Sequence, residues 1–228
     1  CCREKKVTKM IMASSGAPLG GQLPPIHEEL APKPISPYGA SKLACEGYCS
    51  AYFHSFNIDT TALRFSNVYG PGSRAWLLEP LKMARSGQFI LPDQGRGRFT
   101  PVYIDDLLDG VMLAAGLKEG IGQIFILAGE SSVSCHEFFS YHWAWAGKTI
   151  KIPSFPLTVT LAMTQALSKL NRVLKKPSEV TPDAMLMFSR KGGFSITKAK
   201  NKLGYCPKVS LEEGMQSSEK WLHDIGEL

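Results

Sequence analysis

Long apolar runs are missing from this sequence. No stretch reaches the roughly 18 uninterrupted apolar residues that a membrane-spanning helix needs. No secretory leader is read in these residues, so a cytoplasmic setting is expected. Internal repeats and low-complexity tracts are absent, which excludes solenoid and linker architectures. Cysteine is scarce, six in 228 residues, and Cys45 and Cys49 fall on one helical face. That pattern excludes a disulfide framework and favours reduced thiols. No metal is expected, because neither a second Cys pair nor a His cluster completes four ligands around Cys45 and Cys49. The two read instead as small residues buried in a helix seam.

What remains is an ordinary globular composition, 44% hydrophobic and 20% charged, enough for a core of one or two domains. Charge is uneven: residues 151–208 hold eleven Lys and Arg against Glu179 and Asp183, more than the net +6 of the whole chain. A basic lobe there attracts a diphosphate-bearing ligand, and solvated surface lysines give the same count. No nucleic-acid motif or aromatic-basic interleaving accompanies the charge, so nucleic acid is not an expected partner. The pattern alternates strands and helices, an α/β arrangement, with strands near 7–13, 59–65 and 123–128. Helices are expected near 37–55, 75–86, 105–117 and 134–146, with Asp105 capping the third. Residues 156–174 set Val159, Met163, Ala166, Leu167, Leu170 and Leu174 on one stripe ahead of Lys175-Lys176. A lobe-packing helix is the favoured reading there over a membrane surface.

The chemistry concentrates at Tyr38-Gly-Ala-Ser-Lys42. On a helix over 37–54, Tyr38 and Lys42 lie one turn apart on one face, so the ammonium sits by the phenol. A nearby cation favours phenolate and moves the tyrosine toward the range where a general base works at neutral pH. Ser36-Pro37 supplies an N-cap and a first-turn proline, putting Tyr38 where the helix dipole also favours an anion. The Ser14-Ser15 pair closing the apolar run Met10–Ala13 offers a hydroxyl, at Ser15, to orient a substrate.

These residues carry a resemblance. Ala13-Ser-Ser-Gly16, Ser36-Pro-Tyr-Gly-Ala-Ser-Lys42 and Leu63-Arg-Phe-Ser-Asn-Val-Tyr-Gly-Pro-Gly72 resemble blocks of the extended short-chain dehydrogenase/reductases. So do Pro101-Val-Tyr-Ile-Asp-Asp-Leu107 and the block from Ser195 to Tyr205, and the nearest look is to the nucleotide-sugar epimerases and dehydratases. The resemblance implies the C-terminal portion of a Rossmann-type doubly wound parallel sheet with a smaller α/β substrate-binding lobe. It implies an enzyme with NAD as cofactor, leaving NADP open, and Ser15, Tyr38 and Lys42 as the catalytic set. Cofactor contacts are implied at Ala13, Tyr38, Lys42, Phe65 and Ser66, and substrate contacts at Ser15, Asn67, Arg74 and Arg98. The partners implied are a nucleotide-sugar substrate and a twin subunit, paired through the helix carrying Tyr38 and Lys42.

Departures qualify that picture. Leu19 replaces a tyrosine usual before Gly20, Phe99 stands where these epimerases often carry an arginine, with Arg98 beside it, and Gly192-Gly193-Phe194 replaces a more polar segment. No Gly-x-x-Gly-x-x-Gly follows any strand, so the dinucleotide phosphates lack their usual anchor here, and the chain is expected to be a fragment of a longer protein. Residues 1–70 and 101–130 are expected to be what remains of the cofactor domain, and 71–100 and 131–228 the substrate lobe. The second half is also similar to steroid-dehydrogenase-like and flavonol-reductase-like branches, giving an apolar alcohol or ketone as the alternative substrate. A third expectation is a non-catalytic binding or dimerisation module.

Overall fold

The computed structural model describes residues 2, 4–20, 22–173 and 181–228. Leu174, Lys175, Lys176 and Glu179 lie outside the described residues, as does the side chain of Leu170. In chain order the elements are β1 (Lys9–Ser15), α1 (Pro37–Phe56), β2 (Asp59–Phe65), β3 (Asn67–Tyr69), α2 (Glu79–Ser86), β4 (Leu91–Pro92) and β5 (Arg98–Phe99). They continue as β6 (Pro101–Tyr103), α3 (Ile104–Gly116), β7 (Gln123–Leu127), β8 (Val133–Ser134), α4 (Cys135–Trp145) and β9 (Ser154–Phe155). The last are α5 (Leu157–Val173), α6 (Pro182–Phe188), α7 (Thr197–Leu203) and α8 (Leu211–Asp224). The chain divides into two compact units: Cys1–Tyr69, Thr100–Ser131 and Gly193–Gly214 form the first, and Gly70–Phe99, Ser132–Gly192 and Met215–Leu228 the second.

The first unit is built on a parallel sheet in the order β1-β2-β7. β2 is central and buried from Thr60 to Arg64, although its sequence is only half apolar. Its polar groups are met one by one. Thr60 Oγ1 donates to the Cys49 carbonyl at 3.0 Å and Thr61 Oγ1 to the Gly120 carbonyl at 2.7 Å. Arg64 reaches Glu46 on α1 through two hydrogen bonds, Nε to Oε1 at 2.9 Å and Nη2 to Oε2 at 2.7 Å. Ser14 on β1 donates to the same carboxylate at 2.5 Å. One buried ion pair therefore ties α1 to both β1 and β2.

Residues 193–214 join this unit, not the second lobe to which the sequence assigned them. Ile196, Ala199, Leu203 and Tyr205 are buried with Phe125, Ile126 and Leu127 of β7, and the Tyr205 hydroxyl donates to the Ala128 carbonyl at 3.0 Å. Lys198, Lys200, Lys202 and Lys208 go with them, so the basic surplus is shared between units and not gathered in one lobe. Lys198 Nζ is hydrogen-bonded to the Ile124 carbonyl and Lys200 to Glu130. Asp105 is exposed in the first turn of α3, with no capping hydrogen bond among the described residues; its neighbour Asp106 is buried and accepts from the backbone N–H groups of Lys208 and Val209 at 2.9 and 3.0 Å. Cys49 is buried but Cys45 is exposed, because α1 buries only Gly39, Glu46 and Cys49.

The second unit packs around rings. Phe99 lies 4.5 Å from Phe138 and 4.9 Å from Trp76 between ring centroids, and Phe139 lies 5.0 Å from Phe89 and 5.1 Å from Phe188. His142 is sealed among them with Nε2 2.9 Å from the Trp76 carbonyl, and burial pushes its pKa from 6.5 down to about 4. On α5 the apolar stripe faces outward: Val159, Met163 and Leu167 are 42%, 45% and 42% exposed, whereas Thr160 and Thr164 are buried. Those hydroxyls bond back to the carbonyls of Pro156 and Thr160 at 2.9 Å each, which lets threonine occupy the inner face. Among the described residues no helix is long and apolar enough to cross a membrane.

Two outcomes follow from this packing. Glu46→Ala leaves a buried guanidinium without its counter-ion, and chemical denaturation should show a loss of about 3–5 kcal/mol; a loss under about 1 kcal/mol would contradict the ion pair's structural role. His142 stays neutral when folded, so its contribution is complete above the unfolded value of 6.5 and is lost as pH falls toward about 4. His142→Gln should remove up to roughly 3 kcal/mol of the acid destabilisation across that window, read from melting curves at stepped pH.

Candidate active site

The carboxyl ends of β1 and β2 lie side by side, Ser15 in register with Phe65, and the Gly16 N–H closes onto the Phe65 carbonyl at 2.8 Å. In open parallel α/β sheets this is the end where ligands bind. Ser66 follows, its N–H bonded at 3.0 Å to the Leu127 carbonyl at the end of β7. Four of the expected residues, Ala13, Ser15, Phe65 and Ser66, thus gather at one edge of three adjacent strands.

Helix α1 brings the other two. Ser36 takes extended backbone geometry and its Oγ accepts from the Gly39 N–H at 3.1 Å, starting the helix so that Tyr38 falls in the first turn. Gly39 is required for the close approach to β1's exit: a Cβ there would stand 2.8 Å from the Ala17 carbonyl oxygen. Lys42, one turn on, donates from Nζ to the Ala13 carbonyl at 2.9 Å and lies 5.7 Å from the centre of the Tyr38 ring. Tyr38 itself is 56% exposed, open to a ligand. Glu46, a further turn along, is the carboxylate held by Arg64 and Ser14. Tyr38, Lys42 and Glu46 therefore make one line of residues four apart, two of them fixed to β1.

The Ser66 hydroxyl is buried without a hydrogen-bond partner among the described residues, a polar atom left for a ligand at the strand ends. Asn67 follows on β3, its N–H bonded to the Thr100 carbonyl at 3.3 Å.

Arg74 and Arg98 belong to the second unit, and both are engaged locally. Arg74 Nε donates to Glu79 Oε1 at 2.8 Å. Arg98 donates from Nε to the Ser132 hydroxyl at 3.1 Å and from Nη2 to the Ser132 carbonyl. Phe99 is buried in the aromatic cluster.

Two contributors escaped the sequence. Phe194 lies with its ring against Gly16, where a Cβ would meet the ring at 2.4 Å, so an aromatic wall stands next to Ser15. Only the tertiary pairing of Phe194 with Ile26 reveals it. Glu46 was findable, since it stands four residues after Lys42, but its partner Arg64 reads as an anomaly in a buried strand.

A family model described as NAD dependent epimerase/dehydratase family matches residues 1–128. UDP-glucuronate 4-epimerase of Thermodesulfobacterium geofontis is 28% identical over 235 residues, covering 97% of this chain and 61% of its own length. A decarboxylating sterol-4-alpha-carboxylate 3-dehydrogenase of Candida albicans is 27% identical over 228 residues, with 93% of this chain and 64% of its own length covered. Among solved structures, UDP-glucuronic acid 4-epimerase from Bacillus cereus in complex with UDP-glucuronic acid and NAD matches at a TM-score of 0.74 and 24% identity, covering 98% of this chain and 64% of that one. The chain thus spans between 61% and 64% of the length of these relatives.

Proposed function

The chain belongs to the NAD dependent epimerase/dehydratase family, and from that premise we propose that it carries the proton-transfer half of an NAD-linked enzyme acting at a secondary alcohol. The observation that carries this reading is Lys42, anchored on the Ala13 carbonyl within 5.7 Å of the Tyr38 ring. Tyr38 takes the hydroxyl proton as general base and returns it when the reaction reverses. Tyr38 enters this step as the phenolate and leaves it as the phenol; the Lys42 ammonium is the counter-charge to that phenolate, and its remaining donors are offered to a cofactor ribose. Ser15 Oγ holds the reacting oxygen against Tyr38. NAD, when bound, accepts and returns the carbon-bound hydrogen as hydride. Ser66 offers its orphan hydroxyl to the nicotinamide end, while the phosphates require a glycine-rich turn that these residues do not contain.

The relatives include a UDP-sugar epimerase, which makes a nucleotide-diphosphate sugar one candidate acceptor, with Asn67 as its contact. A second reading, an apolar alcohol or ketone, is favoured by a specific observation: Arg98 is bonded to the Ser132 hydroxyl and carbonyl. Pairing of two copies through the outer face of α1 completes the proposal, since Tyr48, Tyr52 and Phe56 stand 70%, 41% and 42% exposed there.

In the full-length protein, Tyr38→Phe should lower turnover by about a hundredfold to ten-thousandfold without changing the melting temperature. Lys42→Met should do the same with folding intact. Rates near wild type for either variant would remove the assignment.

A further inference from the structure

Helix α5 of the second unit turns its apolar residues to water. Residues 157–168, the first twelve of the helix, carry no charge. A lobe-packing helix would bury the stripe they form. Instead Val159, Met163 and Leu167, four apart and so on one line of helix surface, are 42%, 45% and 42% exposed, and Ala162 and Ala166 are exposed beside them. The helix does not depend on that stripe for its own packing. Asp93 Oδ1 accepts from the Leu157 N–H at 3.0 Å at its start, α6 packs against it, and the inward Thr160 and Thr164 have their hydroxyls met within the helix.

The charge in this part of the chain has one sign. Residues 138–178 hold six Lys and Arg and no Asp or Glu. Lys151, just ahead of the helix, and Lys169, in its last turns, are both exposed. Ile150 and Phe155, in the approach to α5, are 68% and 42% exposed. An apolar helix face flanked by cations is the pattern of a helix lying in a bilayer interface, where the apolar side chains enter the acyl boundary and the cations stay with the headgroups. Protein partners are commonly anchored by Trp, Tyr or Arg, and the described side chains of α5 include none. Because no helix among the described residues is long and apolar enough to cross, the contact is with one surface of the bilayer.

We propose that α5 docks on an anionic lipid surface, lying in the headgroup plane with Val159, Met163 and Leu167 inserted and Lys151 and Lys169 paired with lipid phosphates and carboxylates. This does not rest on the roles given to Ser15, Tyr38 and Lys42. The test sediments the full-length protein with vesicles of phosphatidylcholine alone and of phosphatidylcholine with about 30% phosphatidylserine. The protein should pellet with the anionic vesicles about fivefold more than with the neutral ones, and salt at about 0.5 M should release most of it. Val159→Ser, Met163→Ser and Leu167→Ser made together should weaken vesicle binding about tenfold or more, with circular dichroism and melting temperature unchanged because these side chains already face water. Lys151→Glu with Lys169→Glu should remove the preference for phosphatidylserine, and keeps the test decisive if the triple variant does not fold. Protein left in the supernatant with both vesicles, or a folded triple variant that pellets like the wild type, would overturn the proposal. So would self-association in solution that the triple variant abolishes while neither protein binds vesicles, since the face would then belong to a second copy.

Discussion

Arg64 occupies the middle strand of a parallel sheet with its side chain 2% exposed, and a charge so placed costs several kcal/mol unless its donors are met. Glu46 meets it with both carboxylate oxygens, Ser14 adds a third bond to that carboxylate, and the Glu28 carbonyl accepts from Nη1 at 3.4 Å. The consequence is geometric. Glu46 is fixed in rotation and translation along α1, and Lys42 and Tyr38 lie on the same helical line one and two turns earlier. An apolar contact at that position tolerates sliding; a forked ion pair does not. The 2.9 Å bond from Lys42 to Ala13 is then the second pin of the same register.

The second unit is held differently. Its interior is a continuous set of aromatic rings with His142 kept neutral inside it, and Arg74 and Arg98 are bonded to carboxylate, hydroxyl and carbonyl partners. Reactive polar groups thus concentrate in the first unit and aromatic packing in the second.

Features decided by neighbours in sequence were legible. Ser36-Pro37 marks the start of α1 because an N-cap and a first-turn proline act within three residues, and β2 and β7 fall within a residue of where their apolar content places them. Features decided across the chain were not. Asp105 and Asp106 are equivalent cap candidates in sequence; the buried one is chosen by the Lys208 and Val209 amides, about a hundred positions away. The period of α5 gives a stripe but not its direction, and the threonines point inward because their hydroxyls are satisfied within the helix. The destination of residues 193–214 depends on Tyr205 and Leu203 finding β7. At the site, the Tyr38–Lys42 spacing was readable, while Phe194 against Gly16 required the fold.

The account's central claim is that the Arg64–Glu46 pair sets the register on which Tyr38 and Lys42 depend. A double-mutant cycle in the full-length protein, Arg64→Met and Glu46→Leu singly and together, tests it with single-turnover NADH formation and unfolding free energy as paired readouts. The claim predicts strong coupling in stability, with the double variant recovering much of the loss of either single one, yet a hydride-transfer rate that stays low in all three. A double variant that regains both stability and rate would show that packing alone holds the helix in place, and would contradict it.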